Sequence, residues 1–545
     1  MLIWAQDCLS RIFPHTSPSE PTTGIFLSAA KGEVACFQVG VRSEEGLREV
    51  RAEAGELRSE GSHLPEGEVL YQEYVPVHWH TSGNPPDDLE GAAPGFYPDP
   101  LPPEPSLRGC GASLPKVRPL WVRYRTPRDA EPREYEGEVR VAADGDEARI
   151  KVHLRVHPFA LPEEPHLLMT NWLSLTSLCR FHRVEPLSEP FWDVLGRYAR
   201  DLSDHRQTVI LTPLFAVGDA QLVEVSEPEP GRYTFDFRDL DRWAELFFGY
   251  GFKLLEGSHL AGGSKNPSPI VIDGQIRHFP STEDPAWRSF ISQYLRALRD
   301  HLRERGWLDR FLLHISDEPH GDQLPLYASI SELVRRVAPE FKLIDAMAEP
   351  EYAIYVDHPV PLEDRYRKFV ESGLPRERVW FYYCCGPTGP WPNRFLDYPL
   401  VRVRIFTWVA FRYGIPGFLH WGLNHWDWHP PYYRRETYNP YDNTTCGVLA
   451  PGDGYLIYPP WDPERSKDPV DSVRWEVVRK AMEDYEYLWL LREIGGEDAR
   501  TLLRELECDI VPDIPGHTRD WSKLEDFKER VASVITRKSV ASKGI

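Results

Sequence analysis

The chain has 545 residues with 63 basic and 84 acidic side chains, which gives a formal net charge of −21. Nucleic-acid binding depends mainly on neutralising phosphates, so this charge argues against a polyanion as the main ligand and favours a neutral substrate. No uninterrupted stretch of about 18 apolar residues is present that would span a membrane. Residues 1–20 show neither a basic start nor a sustained apolar run, so no signal peptide is visible and a cytoplasmic protein is expected.

The cysteines indicate neither a disulfide framework nor a zinc site. Eight are scattered along the chain, and only Cys384 and Cys385 are adjacent. No CxxC pair or Cys/His zinc spacing is present, which fits reduced thiols in a cytosol. No cofactor is predicted.

Residues 1–163 are predicted to form an antiparallel β-sandwich. Runs such as EVACFQVGVR, PLWVRYRTP and ARIKVHLRVHPF alternate apolar and polar residues, with turn-forming residues between them. Several short strands at this spacing are typical of a sandwich. Residues 80–105 form a long segment rich in proline and glycine, and a loop of this length is usually functional or packs on a neighbour.

Residues 164–495 are predicted to form a (β/α)8 barrel, because apolar strand patterns alternate with amphipathic helical patterns. The candidate strands are 167–173, 208–214, 253–260, 311–318, 342–347, 352–358, 379–385 and 417–423. The final helix is expected over 472–494, with Asp471 or Ser472 as its N-cap and Gly495 as its end. Residues 496–545 remain as a C-terminal extension of one or two helices.

The segment FLLHISDEPHGD (311–322) places Asp317 and Glu318 side by side at the end of a predicted strand. Unpaired charge at the edge of a core is costly, so such a pair is normally hydrogen-bonded, ion-paired or catalytic. Barrel active sites lie at the C-terminal ends of the strands. Because side chains alternate along a strand, Glu318 is expected to face the barrel mouth above His314, and Asp317 reaches it if the chain bends at Pro319.

Two adjacent carboxylates do not suit the ordinary glycosidase, whose two groups lie about 5–5.5 Å or about 6.5–9.5 Å apart across the bond. They suit substrate-assisted hydrolysis, in which the 2-acetamido oxygen of the sugar attacks the anomeric carbon. One carboxylate then protonates the leaving oxygen while its neighbour holds the acetamide N–H. Partial burial beside a second negative charge is expected to raise the pKa of Glu318, as a general acid requires.

Two other interpretations of this segment stay open. A solvated Asp-Glu dipeptide is common and needs no function. His314, Glu318 and His320 together offer zinc ligands. Pro319 breaks the strand between them, however, and no HExxH-type spacing is present, so no metal is predicted.

Other predicted strand ends carry amide, imidazole, carboxylate and indole groups that could bind a sugar. The candidate substrate-binding residues on the earlier strands are Asn171, Trp172, His259, His314, Asp345 and Tyr383. The segment GFLHWGLNHWDWHPPYY (417–433) adds Trp421, Asn424, His425 and Trp426, with Trp428 beyond them. We expect Trp421 and Trp426 to line the −1 subsite through their flat apolar faces; the alternative is that Trp421 caps the barrel core.

Several motifs in order resemble glycoside hydrolase family 123 and its wider bacterial relatives. They are GFYPDPLPP, PLWVRYRTP, HISDEP, GFLHWGLNHW, GDGYLIYP and SVRWEVVRKAMEDYEYL, between about residue 70 and residue 492. The resemblance implies a β-sandwich followed by a (β/α)8 barrel. It also implies a β-N-acetylgalactosaminidase with a retaining, substrate-assisted mechanism, in which Asp317 orients the acetamide and Glu318 is the acid/base.

The sequence therefore predicts an exo-acting glycoside hydrolase that releases terminal β-linked N-acetylhexosamine, with N-acetylgalactosamine the first choice. Its partner is a glycan or glycoconjugate. Competing hypotheses are a non-catalytic carbohydrate-binding protein, a metal-dependent hydrolase and a glycosidase for a sugar without an acetamide group. The last would need another carboxylate at the strand ends, for which Asp345 or Glu256 could serve.

Overall fold

The computed structural model describes residues 1–18, 20–104, 115–216, 220–263, 265–426, 439–445 and 449–543. Its N-terminal part contains two β-sheets that face each other. The strands are β1 (Leu2–Gln6), β2 (Gly24–Lys31), β3 (Val34–Arg42), β4 (Val50–Ala54), β5 (Leu57–Ser59), β6 (Ser62–Leu64), β7 (Glu68–Tyr71), β8 (Tyr74–Val77), β9 (Gly95–Pro98), β10 (Val117–Arg125), β11 (Glu134–Ala143) and β12 (Asp146–Ala160).

One sheet has the order β1-β3-β10-β7, and the other has the order β2-β12-β11-β5-β6 with β4 also paired to β11. Alternation along β11 shows why the sheets pack: Tyr135, Val139 and Val141 are buried, while Glu136 and Arg140 between them are exposed. Apolar residues from both sheets meet in one buried cluster. The predicted sandwich is therefore present.

The expectation that the sandwich is purely antiparallel is wrong for one pair of strands. β12 pairs with β2 in parallel, with Lys151 opposite Gly24 and Arg155 opposite Ser28. These strands are far apart in sequence, and the chain passes through the other sheet between them. No hairpin therefore imposes the antiparallel direction on this pair.

The second part of the chain contains short parallel strands and small hairpins. The strands are β13 (Leu168–Asn171), β14 (Val209–Thr212), β15 (Glu224–Glu229), β16 (Arg232–Asp236), β17 (Leu254–Gly257), β18 (Ala261–Gly262), β19 (Asn266–Pro267), β20 (Ile270–Ile272), β21 (Gln275–Arg277), β22 (Phe311–Leu313), β23 (Lys342–Ala346), β24 (His358–Val360), β25 (Phe381–Tyr382) and β26 (Gly417–His420). Within the described residues, the parallel strands form a five-stranded sheet, β14-β17-β22-β23-β24, and a three-stranded sheet, β13-β26-β25.

The strand pairing therefore gives sheets of five and three, where the sequence predicted one closed barrel of eight. The edges of the two sheets lie next to each other. Thr208 N–H donates to Met169 O at one junction (3.2 Å), and Tyr382 N–H donates to Pro361 O at the other (3.0 Å).

The predicted positions of seven parallel strands agree with the structure, and the sixth is misplaced. Residues 352–358 were expected as a strand, but Pro350–Tyr355 form a 3-10 helix and the strand follows at His358–Val360. Proline fixes φ and lacks an N–H, so Pro350 suits the first turn of a helix. The apolar side chains of this turn, Tyr352 and Ala353, are buried, which explains why the segment resembled a strand.

Helices alternate with most of the parallel strands, as the amphipathic patterns predicted, and several begin at a serine or aspartate that caps the first turn. They are α1 (Leu175–His182), α2 (Glu189–Asp204), α3 (Arg238–Gly249), α4 (Pro285–Glu304), α5 (Leu324–Val337), α6 (Tyr366–Glu371), α7 (Leu400–Arg404), α8 (Phe406–Tyr413), α9 (Val473–Ile494), α10 (Gly496–Glu505) and α11 (Trp521–Lys543). Ser472 caps α9 by accepting from Trp475 N–H, and Gly495 ends it. No helix among the described residues has the length and apolar character needed to cross a bilayer.

The long loop after β8 was expected either to be functional or to pack on a neighbour. In the structure it packs on the second part of the chain. Thr81 donates from its N–H and its hydroxyl to the two carboxylate oxygens of Asp397, both at 2.7 Å. Asn84 accepts from the Tyr398 hydroxyl at 2.7 Å. The loop thereby fixes the segment that follows β25.

Candidate active site

Asp317 and Glu318 lie just beyond the end of β22, which stops at Leu313, earlier than predicted. Glu318 has a φ of 38°, a conformation that is unusual for a residue other than glycine, and Pro319 follows it. Such a backbone costs about 1–3 kcal/mol and persists only where the surroundings hold it, most often at functional sites. The chain thus bends at Pro319 as expected, and both carboxylates are exposed.

The surroundings of Glu318 favour its protonated form. Partial burial raises its pKa, and the nearby charge of Asp317 raises it further. The Tyr382 hydroxyl donates to Glu318 Oε1, and this hydrogen bond acts in the opposite direction. Burial is the largest of these effects, so the pKa of Glu318 is above its usual value.

Asp317 lies beside Glu318, with 53% of its side chain exposed. The nearest described imidazole is that of His259, whose Nε2 lies 3.9 Å from Asp317 Oδ1. Partial burial raises the pKa of Asp317, while the positive charge of His314 lowers it. Asp317 therefore has space for a ligand and no strong partner of its own among the described hydrogen bonds.

His314 is fully buried beneath this pair, between two carboxylates. Its Nε2 donates to Glu256 Oε1 at 2.6 Å and its Nδ1 donates to Asp345 Oδ1 at 2.8 Å. Burial alone would lower the pKa of His314, but the two hydrogen bonds and the two negative charges raise it to about 10. His314 is therefore an imidazolium that supports the floor of the site and does not touch a substrate.

Glu256 and Asp345 are equally buried, and their oxygens are occupied. Glu256 accepts from the Thr170 hydroxyl at 2.7 Å and from the Trp172 indole N–H at 3.1 Å, in addition to His314. Asp345 accepts from the Tyr327 hydroxyl at 2.6 Å and from the N–H of Ile315. These contacts do not fit Asp345 as a substrate ligand or either residue as an alternative catalytic carboxylate.

Side chains of His259, His314 and Asp345 lie close enough together to be considered as metal ligands. Both nitrogens of His314 already donate to carboxylates, so a metal would have to displace Glu256 or Asp345. His320, the other histidine of the sequence motif, is exposed and its ring nitrogen contacts Glu318 O at 3.1 Å. The donor set therefore fits a charge-paired imidazolium better than a metal ligand.

His259 and Trp172 form one wall of the site next to Asp317. The His259 ring lies against His314 with ring centroids 4.3 Å apart, and the Trp172 edge faces both imidazoles. Burial and the positive charge of His314 lower the pKa of His259 to about 3, so its imidazole is neutral. Both residues are half-buried, which leaves part of each side chain available to a sugar.

The segment after β26 contributes two half-buried side chains, Trp421 and His425, whose rings are 5.0 Å apart. Asn424 and Trp426 are fully buried instead. Asn424 accepts from Ser174 N–H at 2.7 Å and donates to Ser174 O, and the Trp426 indole donates to Ile457 O at 3.0 Å. Trp428 lies outside the described residues.

Six sequence-predicted contacts thus do not fit direct binding of substrate, because their side chains are buried. Besides His314, Asp345, Asn424 and Trp426, they are Asn171 and Tyr383. Asn171 accepts from Arg394 at 2.7 Å and donates to Gln207 at 3.0 Å. Tyr383 packs against Phe406 and Phe418, on the helix side of the sheet.

Sequence reasoning missed Tyr382, which holds Glu318. The alternation of side chains in VWFYYCC places Trp380, Tyr382 and Cys384 on one face and Tyr383 on the other. Trp380 and Tyr382 belong to the apolar cluster enclosed by the parallel strands. This alternation was the feature of the sequence from which the position of Tyr382 could have been predicted.

The sequence analysis also missed two buried ionisable groups, Arg394 and Asp453, near the segment that carries Trp421 and His425. Arg394 reaches the ends of β13 and β26, where it bonds Asn171 and His420. Asp453 lies in the GDGY turn, where burial raises its pKa to about 7, and the Trp421 indole lowers it by hydrogen bonding. Arg394 also donates to Gly422 O and so fixes the backbone next to Trp421.

Comparison with known families gives one match. The model of the catalytic domain of glycoside hydrolase 123 matches residues 172–491, which includes β14 to β26 and nearly all of α9. No curated protein sequence matches this chain.

Comparison with solved structures gives a match over the whole chain. A family 123 glycoside hydrolase from Clostridium perfringens, described as hydrolysing glycolipid glycans, superposes with a TM-score of 0.77. The two share 16% identity, and the match covers 99% of each chain, so the fold is shared from end to end.

Other matches are distant. β-Glucuronidase 3 of Bacteroides uniformis has 10% identity, covers 83% of this chain and 50% of its own, and gives a TM-score of 0.29. The endo-β-1,4-mannanase of Thermotoga petrophila has 11% identity, 60% and 77% coverage, and a TM-score of 0.36. Nothing further is drawn from these two.

Proposed function

The chain belongs to glycoside hydrolase family 123, and on this premise we propose that it releases terminal β-linked N-acetylhexosamine by a substrate-assisted, retaining mechanism. N-acetylgalactosamine is the proposed sugar. The observation that carries the proposal is the pair of adjacent, exposed carboxylates, of which Glu318 is held by Tyr382 and Asp317 is open to a ligand.

The two carboxylates divide the work. Glu318, with its raised pKa, gives its proton to the leaving oxygen as the acetamide oxygen attacks the anomeric carbon. Asp317, as the carboxylate, accepts the acetamide N–H and stabilises the positive charge that develops on the oxazolinium ring. Glu318 then removes a proton from the water that opens this ring, and the product keeps its β configuration.

The buried Glu256–His314–Asp345 group keeps the floor of the site in place. Because Asp345 also accepts from Ile315 N–H, it anchors the backbone that leads to Asp317. Trp172 and Trp421 supply flat apolar faces for the sugar, and His259 and His425 supply polar nitrogens for its hydroxyls. This arrangement places rigid supports under a strained pair, as preorganised catalysis requires.

We also propose that the sheets of five and three strands close into one (β/α)8 barrel. The apolar cluster they enclose contains a residue from or next to each of the eight parallel strands: Leu168, Val209, Leu254, Leu312, Ile344, Val360, Tyr382 and Leu419. Barrel interiors are filled by layers of this kind. The backbone hydrogen bonds at both junctions between the sheets support the same arrangement.

The substrate is proposed to be a glycan or glycoconjugate. The similar Clostridium perfringens structure is described in terms of glycolipid glycans, which makes such glycans the first natural substrates to test. A cytoplasmic location remains a proposal.

A panel of nitrophenyl glycosides, with and without EDTA, tests the activity. We expect release from β-N-acetylgalactosaminide first and β-N-acetylglucosaminide second, with no effect of EDTA. Release from galactoside or glucoside but not from their 2-acetamido forms would overturn the mechanism. Loss of activity in EDTA would show a metal-dependent hydrolase.

The Glu318→Gln variant tests the acid role on the same substrates. Poor leaving groups need protonation in the transition state, so their turnover should fall most, while an acidic phenol leaving group is partly spared. NMR of the first-formed anomer should show the β product. An α product would remove substrate assistance from the proposal.

A further inference from the structure

Cys384 and Cys385 form a pair of adjacent thiols at the edge of the candidate active site. Their sulfur atoms are 3.7 Å apart. Cys385 is exposed and Cys384 is half-buried, whereas the described cysteines Cys8, Cys36 and Cys179 are buried. A small reagent can therefore reach this pair in the folded protein.

The backbone holds the two thiols in this position. Cys384 N–H donates to Gly386 O at 2.9 Å, which closes a tight turn. The buried Asn393 side chain donates to Cys384 O at 3.0 Å and to Pro387 O at 3.3 Å. Since the turn is fixed from inside, the sulfur atoms stay close together.

Only Tyr383 separates the pair from Tyr382, whose hydroxyl donates to Glu318. Cys384 lies on the same face as Tyr382 and packs against the apolar cluster between the parallel strands. A change in the geometry of Cys384 therefore reaches the residue that holds the proposed acid/base through the backbone of Tyr383. We propose that Cys384 and Cys385 form a dithiol redox site, which closes to a disulfide and thereby lowers turnover.

A hydroperoxide is the proposed oxidant that converts the two thiols to a disulfide. The Cys385 thiolate attacks the peroxide O–O bond, which gives a sulfenic acid and releases water or an alcohol. The Cys384 thiol then attacks that sulfur, the S–S bond forms and water leaves. Two thiols lose two electrons in all, and the peroxide takes them up.

The environment favours Cys385 as the attacking group. The contact between the two thiols lowers the pKa of Cys385 and raises that of Cys384. The thiolate is the reactive form of cysteine. Closure would shorten the sulfur separation from 3.7 Å to about 2.05 Å, so the end of β25 must shift.

Phenylarsine oxide tests whether both thiols are reachable together, because it forms two As–S bonds with a close dithiol and releases water. We expect one equivalent to bind the native protein, release by dimercaptopropanol, and no such binding in the Cys385→Ser variant. The matched control is Cys508→Ser, which removes an exposed cysteine without a close partner thiol among the described residues. Equal binding by wild type and Cys385→Ser would overturn the site.

Hydrogen peroxide followed by alkylation and trypsin tests closure. The tryptic peptide 379–394 contains Cys384 and Cys385 and no other cysteine, so the disulfide appears as loss of two hydrogens from that peptide. We expect kcat/KM on the best nitrophenyl glycoside to fall about tenfold in step with this mass change and to recover in dithiothreitol. The Cys508→Ser protein should respond like wild type, and Cys385→Ser should resist.

Sulfinic acid in place of the disulfide would overturn the proposed chemistry. A disulfide with unchanged kcat/KM would overturn its effect on turnover. The phenylarsine oxide and mass-spectrometry experiments do not depend on glycosidase activity. They would therefore still test the dithiol site if the proposed glycosidase function were wrong.

Discussion

Carboxylates occur in two contrasting settings in this protein. At the mouth of the site, Asp317 and Glu318 are exposed and share few partners. At the junction between the sandwich and the second domain, Asp99 is buried and bonds Arg474 through both oxygens, at 3.0–3.2 Å. Glu476 there is buried too, and it accepts from Arg123 at 2.6 Å and from the Trp121 indole at 3.1 Å.

The difference teaches that the number of fixed partners separates the structural carboxylates of this protein from those proposed to be catalytic. The junction carboxylates are held by cations that no ligand could displace without exposing a buried charge. The carboxylates at the mouth retain open oxygens on a strained backbone. Replacements in the two settings should therefore change different properties, the free energy of unfolding in one and the rate in the other.

The largest effect is expected for Arg474→Leu, which leaves the Asp99 carboxylate buried without its cation. Breaking a buried ion pair by removing one partner typically costs about 3–5 kcal/mol. Denaturant unfolding would measure the loss. The control is Arg303→Leu, whose ion pair with Glu340 is exposed and should cost about 1 kcal/mol or less. Equal losses in both variants would contradict the comparison.

Trp426→Ala should also lower stability, by about 3–5 kcal/mol, because it empties a large volume beside Phe181 and removes a buried hydrogen bond. Trp421→Ala is the matched variant, since that indole is half-buried. It should lower kcat/KM and leave the melting temperature nearly unchanged. If Trp426→Ala lost activity but kept normal stability, Trp426 would instead be a residue of the sugar-binding site.

Asp317→Asn should lower kcat/KM about 10²–10³-fold, the scale for one preorganised electrostatic group, with an unchanged melting temperature. The defect should be similar for good and poor leaving groups. The thiazoline analogue of N-acetylgalactosamine should bind wild type far better than the variant. Asp309→Asn, an exposed change before the start of the same strand, is the control and should behave as wild type.

The smallest effect is a change in pH dependence for Tyr382→Phe. The tyrosine hydrogen bond lowers the pKa of Glu318, so its removal should raise that pKa. The acid then keeps its proton to higher pH, and the basic limb of kcat/KM should move to higher pH. Tyr383→Phe, on the opposite face of the strand, should leave the profile in place; a shift in both variants would contradict the assignment.

Local patterns predicted much of this fold. The Ser472 cap and the Gly495 end of α9 are confirmed, because capping depends on neighbouring residues. The bend at Pro319 is confirmed too, because it also depends only on neighbouring residues. The sixth strand is displaced because an apolar run with Pro350 can form a buried 3-10 turn as well as a strand.

Contacts between segments that are distant in sequence could not be predicted from local patterns. The burial of Trp426 depends on Ile457 O, and the charge of His314 depends on Glu256 and Asp345 from other strands. Tyr383 was a candidate and Tyr382 was not, although neighbouring residues of a strand point to opposite faces and only Tyr382 faces Glu318.

Helix α9 has a consequence for how the protein unfolds. It ends the second domain in sequence, yet Glu483 accepts from Val34 N–H in the sandwich, while Asp484 binds Arg404 of α7 and Lys528 of α11. The same helix turn therefore completes three neighbouring structures at once. Cutting the chain near residue 163 would leave buried charges of α9 facing water on one fragment and unpaired backbone groups on the other. Both parts should therefore melt in a single cooperative transition, and we expect the segment after residue 163 not to fold on its own.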